Sequence, residues 1–165
     1  MEASGGQRPP ASSTWARAGL VVLLLVGLSV GLWAQLASSS FFDDFPLGRG
    51  WVAADGPDNE HLVRDSGGMN LALAIVTWGA LRSARSSQVV ITALAWLAFA
   101  VPHLTSHLHH LDLYDGIDVA GDVVGTGGTA VVALVVPASA WRRPRTPVPV
   151  AAPSARPGTP VATTP

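Results

Sequence analysis

Residues 19–37 read GLVVLLLVGLSVGLWAQLA, nineteen consecutive positions without a charge. A helix needs about 20 apolar residues to cross a bilayer, so this stretch is long enough to span one. A secretory signal core is shorter, usually about 7–15 residues, and no small-residue cleavage pattern follows Ala37, so the stretch reads as a retained first helix. Three further apolar stretches follow, at roughly 66–81, 88–106 and 123–141. The expected fold is therefore all-α, a four-helix transmembrane bundle with helices at about 17–37, 59–81, 87–109 and 117–141.

The rest of the composition agrees. Only 13% of the 165 residues are charged and 48% are hydrophobic, against about 25% charged in a typical soluble domain. The net charge of −1 argues against nucleic acid as a partner. With no cysteine, disulfides, thiolate metal sites and Cys-linked haem are excluded.

Charge is sorted along the chain. Arg8, Arg17, Arg82, Arg85, Arg142, Arg143, Arg145 and Arg156 lie in the N-terminal tail, the second connection and the C-terminal tail. Ten of the eleven acids and all five histidines lie in the other two connections or at the helix ends facing them. Arginine-rich connections stay on the cytoplasmic side. Both termini are therefore expected in the cytoplasm, with the chain in the cell membrane. Trp15, Trp78 and Trp141 then mark the inner interface, and Trp33, Trp51 and Tyr114 the outer one.

Residues 1–16 and 142–165, rich in Gly, Pro, Ser, Ala and Thr, read as disordered tails. Residues 38–58 form an outer loop, whose Phe41, Phe42, Phe45 and Trp51 suit a short interfacial helix or a re-entrant turn, ended near Pro46 and Gly48. Pro57-Asp58 signals the start of the second helix, with Asp58 as its cap. Pro102 is expected to kink the third helix. Gly27 and Gly31, and likewise Gly121 and Gly125, are spaced to let another helix approach closely.

The candidate chemistry lies at the outer ends of three helices. Glu60 and Arg64, His61 and Asp65, His103 and His107, and Asp118 and Asp122 are all four apart, hence on common helix faces. A His pair at that spacing can grip a metal ion, and carboxylates from facing helices can complete the coordination. His103, His107, His61, Asp65, Asp118 and Asp122 are thus candidate ligands of a divalent metal. Haem held by two of the histidines is a less favoured cofactor, and Glu60–Arg64 is a plain polar pair. The competing reading is a polar cap, because acids suit helix N-termini and histidines suit C-termini. His103 and Asp122 each lie one turn deeper than their partners, where ionisable groups are costly and tend to face the bundle interior. They are the expected inward-facing pair.

The residues Asn59-Glu60-His61-Leu62-Val63-Arg64-Asp65 and Phe99-Ala100-Val101-Pro102-His103, with His107, carry a resemblance. Residues 41 to about 140 resemble small four-helix integral membrane proteins of unknown function from actinobacteria. That resemblance implies the four-helix fold and brings no known activity. The functional expectation is a binding or accessory membrane protein whose outer mouth holds a His/Asp/Glu cluster. One alternative is a membrane-embedded enzyme acting on a lipid or a small redox substrate. Another is a structural subunit of a larger complex or homo-oligomer, docked through Gly27 and Gly31. An enzyme is the less favoured of these.

Overall fold

The computed structural model describes residues 14–83 and 85–141. Arg8, the four C-terminal arginines and the side chain of Trp141 lie outside these residues, as does nearly all of both expected tails. Helix α1 spans Thr14–Leu36, α2 Ser38–Asp44, α3 Trp51–Ala54, α4 Glu60–Ser83, α5 Ser86–His109 and α6 Ile117–Trp141. A single 3₁₀ turn, Leu111–Leu113, joins α5 to α6. No strand occurs among the described residues.

Helices α1, α4, α5 and α6 have 23, 24, 24 and 25 residues. At about 1.5 Å per residue each is some 35 Å long, enough for the hydrocarbon core of a bilayer. They close a ring in which α1 touches α4, α4 touches α5, α5 touches α6, and α6 returns to α1. Neighbours run antiparallel. Gly19 near the start of α1 faces Val132 and Val136 near the end of α6, and Leu104 of α5 faces Gly127 of α6.

Three of the four, α1, α5 and Ile117–Ala138 of α6, are long and apolar enough to cross a membrane. Their outward faces carry Leu25, Leu32, Ile91, Leu94, Val131 and Leu134, all exposed. So much exposed apolar surface is a liability in water and the required face toward lipid. Helix α4 has the same length but a more polar composition. Its buried face is built from Gly67, Asn70 and Thr77, while Met69, Ile75 and Trp78 are exposed.

The core is centred on Trp96 of α5, which is 0% exposed. Leu20, Leu23, Leu73, Val89 and Val136 surround it. Its indole Nε1–H donates to Thr77 Oγ1 at 2.8 Å, and the Thr77 hydroxyl donates in turn to the Leu73 carbonyl at 2.7 Å. The polar residues of α4 therefore have partners inside the bundle, as apolar surroundings demand.

The glycines of α1 account for the tight α1–α4 contact. A Cβ on Gly27 would lie 2.9 Å from the Asn70 carbonyl oxygen and 3.3 Å from the Trp96 ring. One on Gly31 would lie 2.8 Å from the Leu71 side chain. Both glycines are buried. They are spent within the chain, so the expectation that they offer a surface to another subunit is corrected. Gly121 and Gly125, by contrast, bring no long helix close. A Cβ on Gly121 would meet the Trp51 ring at 3.0 Å, and Gly125 has nothing within 4 Å.

At the C-terminal end of α1 the chain turns at Ala37 into α2, which brings Phe41 beside Trp33 and Phe45. The Trp33–Phe41 and Phe41–Phe45 ring centroids lie 5.8 and 4.6 Å apart. This is the short helix expected before Pro46. Gly50, at φ +65°, takes the left-handed conformation that starts α3. Helix α4 is capped by Asn59, not Asp58: the Asn59 side-chain oxygen accepts from Leu62 N–H at 3.1 Å. Asn59 stands one residue before the helix, where its short side chain reaches the third amide. Pro102 lies inside a continuous α5.

Candidate functional site at the outer end of α5 and α6

Helices α5 and α6 run antiparallel, so the last turns of one face the first turns of the other. His107 projects from α5 and Asp122 from the second turn of α6. His107 Nδ1 lies 2.7 Å from Asp122 Oδ1. Asp122 is 0% exposed. Asp122 Oδ2 has no hydrogen-bond partner among the described residues. A buried carboxylate in that condition is costly unless something else satisfies it. His103 stands beside His107 with ring centroids 4.5 Å apart, and stacks on Phe99 at 4.9 Å. His103 itself is exposed. The residue that faces Asp122 is thus His107, not His103: the two helices meet at the register of the last turn of α5.

One turn nearer the mouth, Asp118 takes part in a different arrangement. Arg49 pairs with it through both Nε and Nη2, the latter 2.9 Å from Oδ2. The Trp51 indole N–H donates to its Oδ1 at 2.8 Å. The Trp51 ring rests against Gly121, where a side chain would collide, and Tyr114 Oη–H donates to the Trp51 carbonyl at 3.3 Å. The α3 segment is thereby tied to the start of α6 through Trp51. The carboxylate of Asp118 and the Gly121 surface are both needed for this seating. Burial, with the carboxylates of Asp122 and Asp55 nearby, pushes the Tyr114 phenol up to about 12. The Arg49 guanidinium is held above its ordinary value mainly by its bond to Asp118.

Helix α4 holds its own pairs. His61 Nε2 lies 3.3 Å from Asp65 Oδ2, with the two side chains 87% and 64% exposed. Arg64 pairs with Glu60 at 2.8 Å and donates to the Gln35 carbonyl, while the Gln35 amide donates to the Arg64 carbonyl. Arg64 thus fastens the outer end of α1 to α4. At the end of α5, the Nδ1 atoms of His109 and His110 lie 2.7 and 2.8 Å from the Thr105 and Ser106 carbonyls.

All four i,i+4 pairs sit on common faces, but the six expected metal ligands do not form one site. His61 and Asp65 stay with α4, Asp118 is taken by Arg49 and Trp51, and His107 alone meets Asp122 between α5 and α6, with His103 beside it on α5. Among the described residues, no group of three or more His, Asp or Glu side chains converges closely enough to hold a metal ion.

Sequence reasoning missed Arg49 and Trp51 as partners of Asp118. A signal was present. Arg49 and Arg64 are the two arginines outside the basic segments, and each is paired with an acid.

No protein-family model matches the sequence, and no curated protein or solved structure shows significant similarity to it. Function is therefore argued from the site alone.

Proposed function

We propose that this chain is a multi-pass integral membrane protein of binding or accessory type, working through the outer-mouth site between α5 and α6. In this reading all four long helices cross the cell membrane and both termini are cytoplasmic. Two observations support the topology. The described arginines without an acidic partner, Arg17, Arg82 and Arg85, lie at one end of the bundle, and every described acid lies at the other. Helix α4 matches the other three in length, and the polar residues in its middle, Asn70 and Thr77, are buried.

The observation that carries the functional reading is Asp122: fully buried, with one carboxylate oxygen 2.7 Å from the His107 imidazole and the other without a hydrogen-bond partner among the described residues. Ionisable groups inside membrane segments are expensive and are kept where they work. A carboxylate–imidazole pair is suited to a ligand that brings positive charge, and a divalent cation is the simplest such ligand. Asp122 and His107 would supply two donors, leaving the other positions to water or to a partner molecule.

Zinc ion is the probe. Calorimetric titration of the purified protein in detergent is expected to show binding that is lost in Asp122→Asn and His107→Gln and kept in His61→Ala. No binding by the unaltered protein, or binding unchanged in both variants, overturns the reading.

A further inference from the structure

The arginine end of the bundle carries a second feature. Arg82 stands in the last turn of α4 and Arg85 directly precedes α5, three positions further on, and Arg17 lies on the first turn of α1. All three are exposed. Among the described residues none has an acidic partner, because every described Asp and Glu is at the opposite end. The Arg82 guanidinium lies 5.8 Å from the centroid of the Trp78 ring, which holds it beside an aromatic that is 54% exposed. Below this turn the two helices touch closely, with the Thr92 hydroxyl donating to the Val76 carbonyl at 3.4 Å. On either side of that contact Ile75 and Ile91 are 72% and 62% exposed.

We propose that the α4–α5 turn binds the headgroup of an anionic phospholipid, with Arg82 and Arg85 on the phosphodiester and Trp78 at headgroup level. The inference rests on the reading that this end faces a membrane leaflet. Charge complementarity supports it, since two cations close in sequence and without an acidic partner among the described residues lie, in this reading, at the depth of the lipid phosphates. Guanidinium forks match phosphate oxygens in a bidentate manner. Tryptophan belongs at that same interface, and Ile75 and Ile91 offer the apolar surface that an acyl chain needs.

The test adds phosphatidylglycerol or phosphatidylcholine to the purified protein in detergent and follows the thermal transition. Phosphatidylglycerol is expected to raise the transition and phosphatidylcholine to leave it in place. In Arg82→Gln/Arg85→Gln the half-maximal phosphatidylglycerol concentration should rise by roughly thirtyfold, from the usual contribution of each arginine near a charged surface. The single variant Arg85→Gln, outside any helix, should show an intermediate shift and serves if the double variant does not fold. Inorganic phosphate is the arm that separates a lipid site from a simple anion site. Equal stabilisation by phosphate, by phosphatidylcholine, or of the double variant overturns the proposal. Sided labelling of the same turn tests the membrane reading on its own, so the two failures are distinguishable.

Discussion

The imidazole of His107 lies 2.7 Å from the carboxylate of Asp122, across the contact between α5 and α6. The position of that pair follows from helix register. Antiparallel packing sets the last turn of α5 against the second turn of α6, and the α3 segment is held against the start of α6. The seating of α3 depends on one carboxylate, Asp118, which receives Arg49 and Trp51 together.

Asp118→Ala should therefore loosen the outer mouth more than Arg49→Ala does, because it removes two partners at once. The chain has no cysteine, so a single His107→Cys reports access to the site without background. Its reaction with a water-soluble maleimide is expected to accelerate when Asp118→Ala or Trp51→Ala is added. An unchanged rate with both would show that α3 does not shield the pair.

The α1–α4 contact leaves no room at Gly27. Gly27→Leu drives a side chain into the Asn70 carbonyl and the Trp96 ring, and overpacking of this kind costs about 1–3 kcal/mol or more. Gly125→Ala meets nothing and should stabilise by about 0.5–1 kcal/mol, the usual gain of Ala over Gly inside a helix. Thermal unfolding in detergent, followed by circular dichroism, compares the two.

Trp96 is both the centre of the core and the hydrogen-bond partner of Thr77. Trp96→Ala is expected to cost about 3–5 kcal/mol through the cavity it leaves. Trp96→Phe keeps most of the volume but leaves the Thr77 hydroxyl without its indole donor. Its loss should be smaller, and similar to that of Thr77→Val. A double variant whose loss equals the sum of the singles would show that the two side chains are not coupled.

Tyr114 is the only tyrosine, so its ionisation can be read by ultraviolet absorbance. Its phenol should lose its proton near about 12 in the folded protein, against 10.0 for a free phenol. The folded state thus favours the neutral form. The unfolded chain releases the proton first, so this contribution is complete below 10.0 and declines as the pH rises toward about 12. Phenolate appearing near 10.0 in the folded protein would show that the ring is not shielded at the mouth.

The legible part of this structure was the part written in periodicity and sign. The apolar stretches located α1, α5 and α6, and the charge sorting matched the two ends of the bundle. Helix α4 was harder to read because Gly67, Asn70 and Thr77 lower its apolar content while facing α1 and α5. The i,i+4 pairs were visible because they depend on one helix alone. Which helices face one another at which register is not local. That is why His103 was expected opposite Asp122 where His107 stands, and why Gly27 and Gly31 were assigned to an outside partner when α4 occupies them. Trp51 against Gly121 is of the same kind. It joins residues 70 positions apart, and nothing near either one announces the other.

The central claim is a four-span topology that puts the Asp122 site and the α4–α5 turn on opposite sides of the membrane. Its most direct test is sided labelling of Ala54→Cys, on α3 at the mouth, and Ser83→Cys, at the arginine end of α4. With a membrane-impermeant maleimide on intact cells, Ala54→Cys is expected to react at once and Ser83→Cys only after the membrane is opened. Labelling of both positions from the same side would show that α4 does not cross, and would contradict the account.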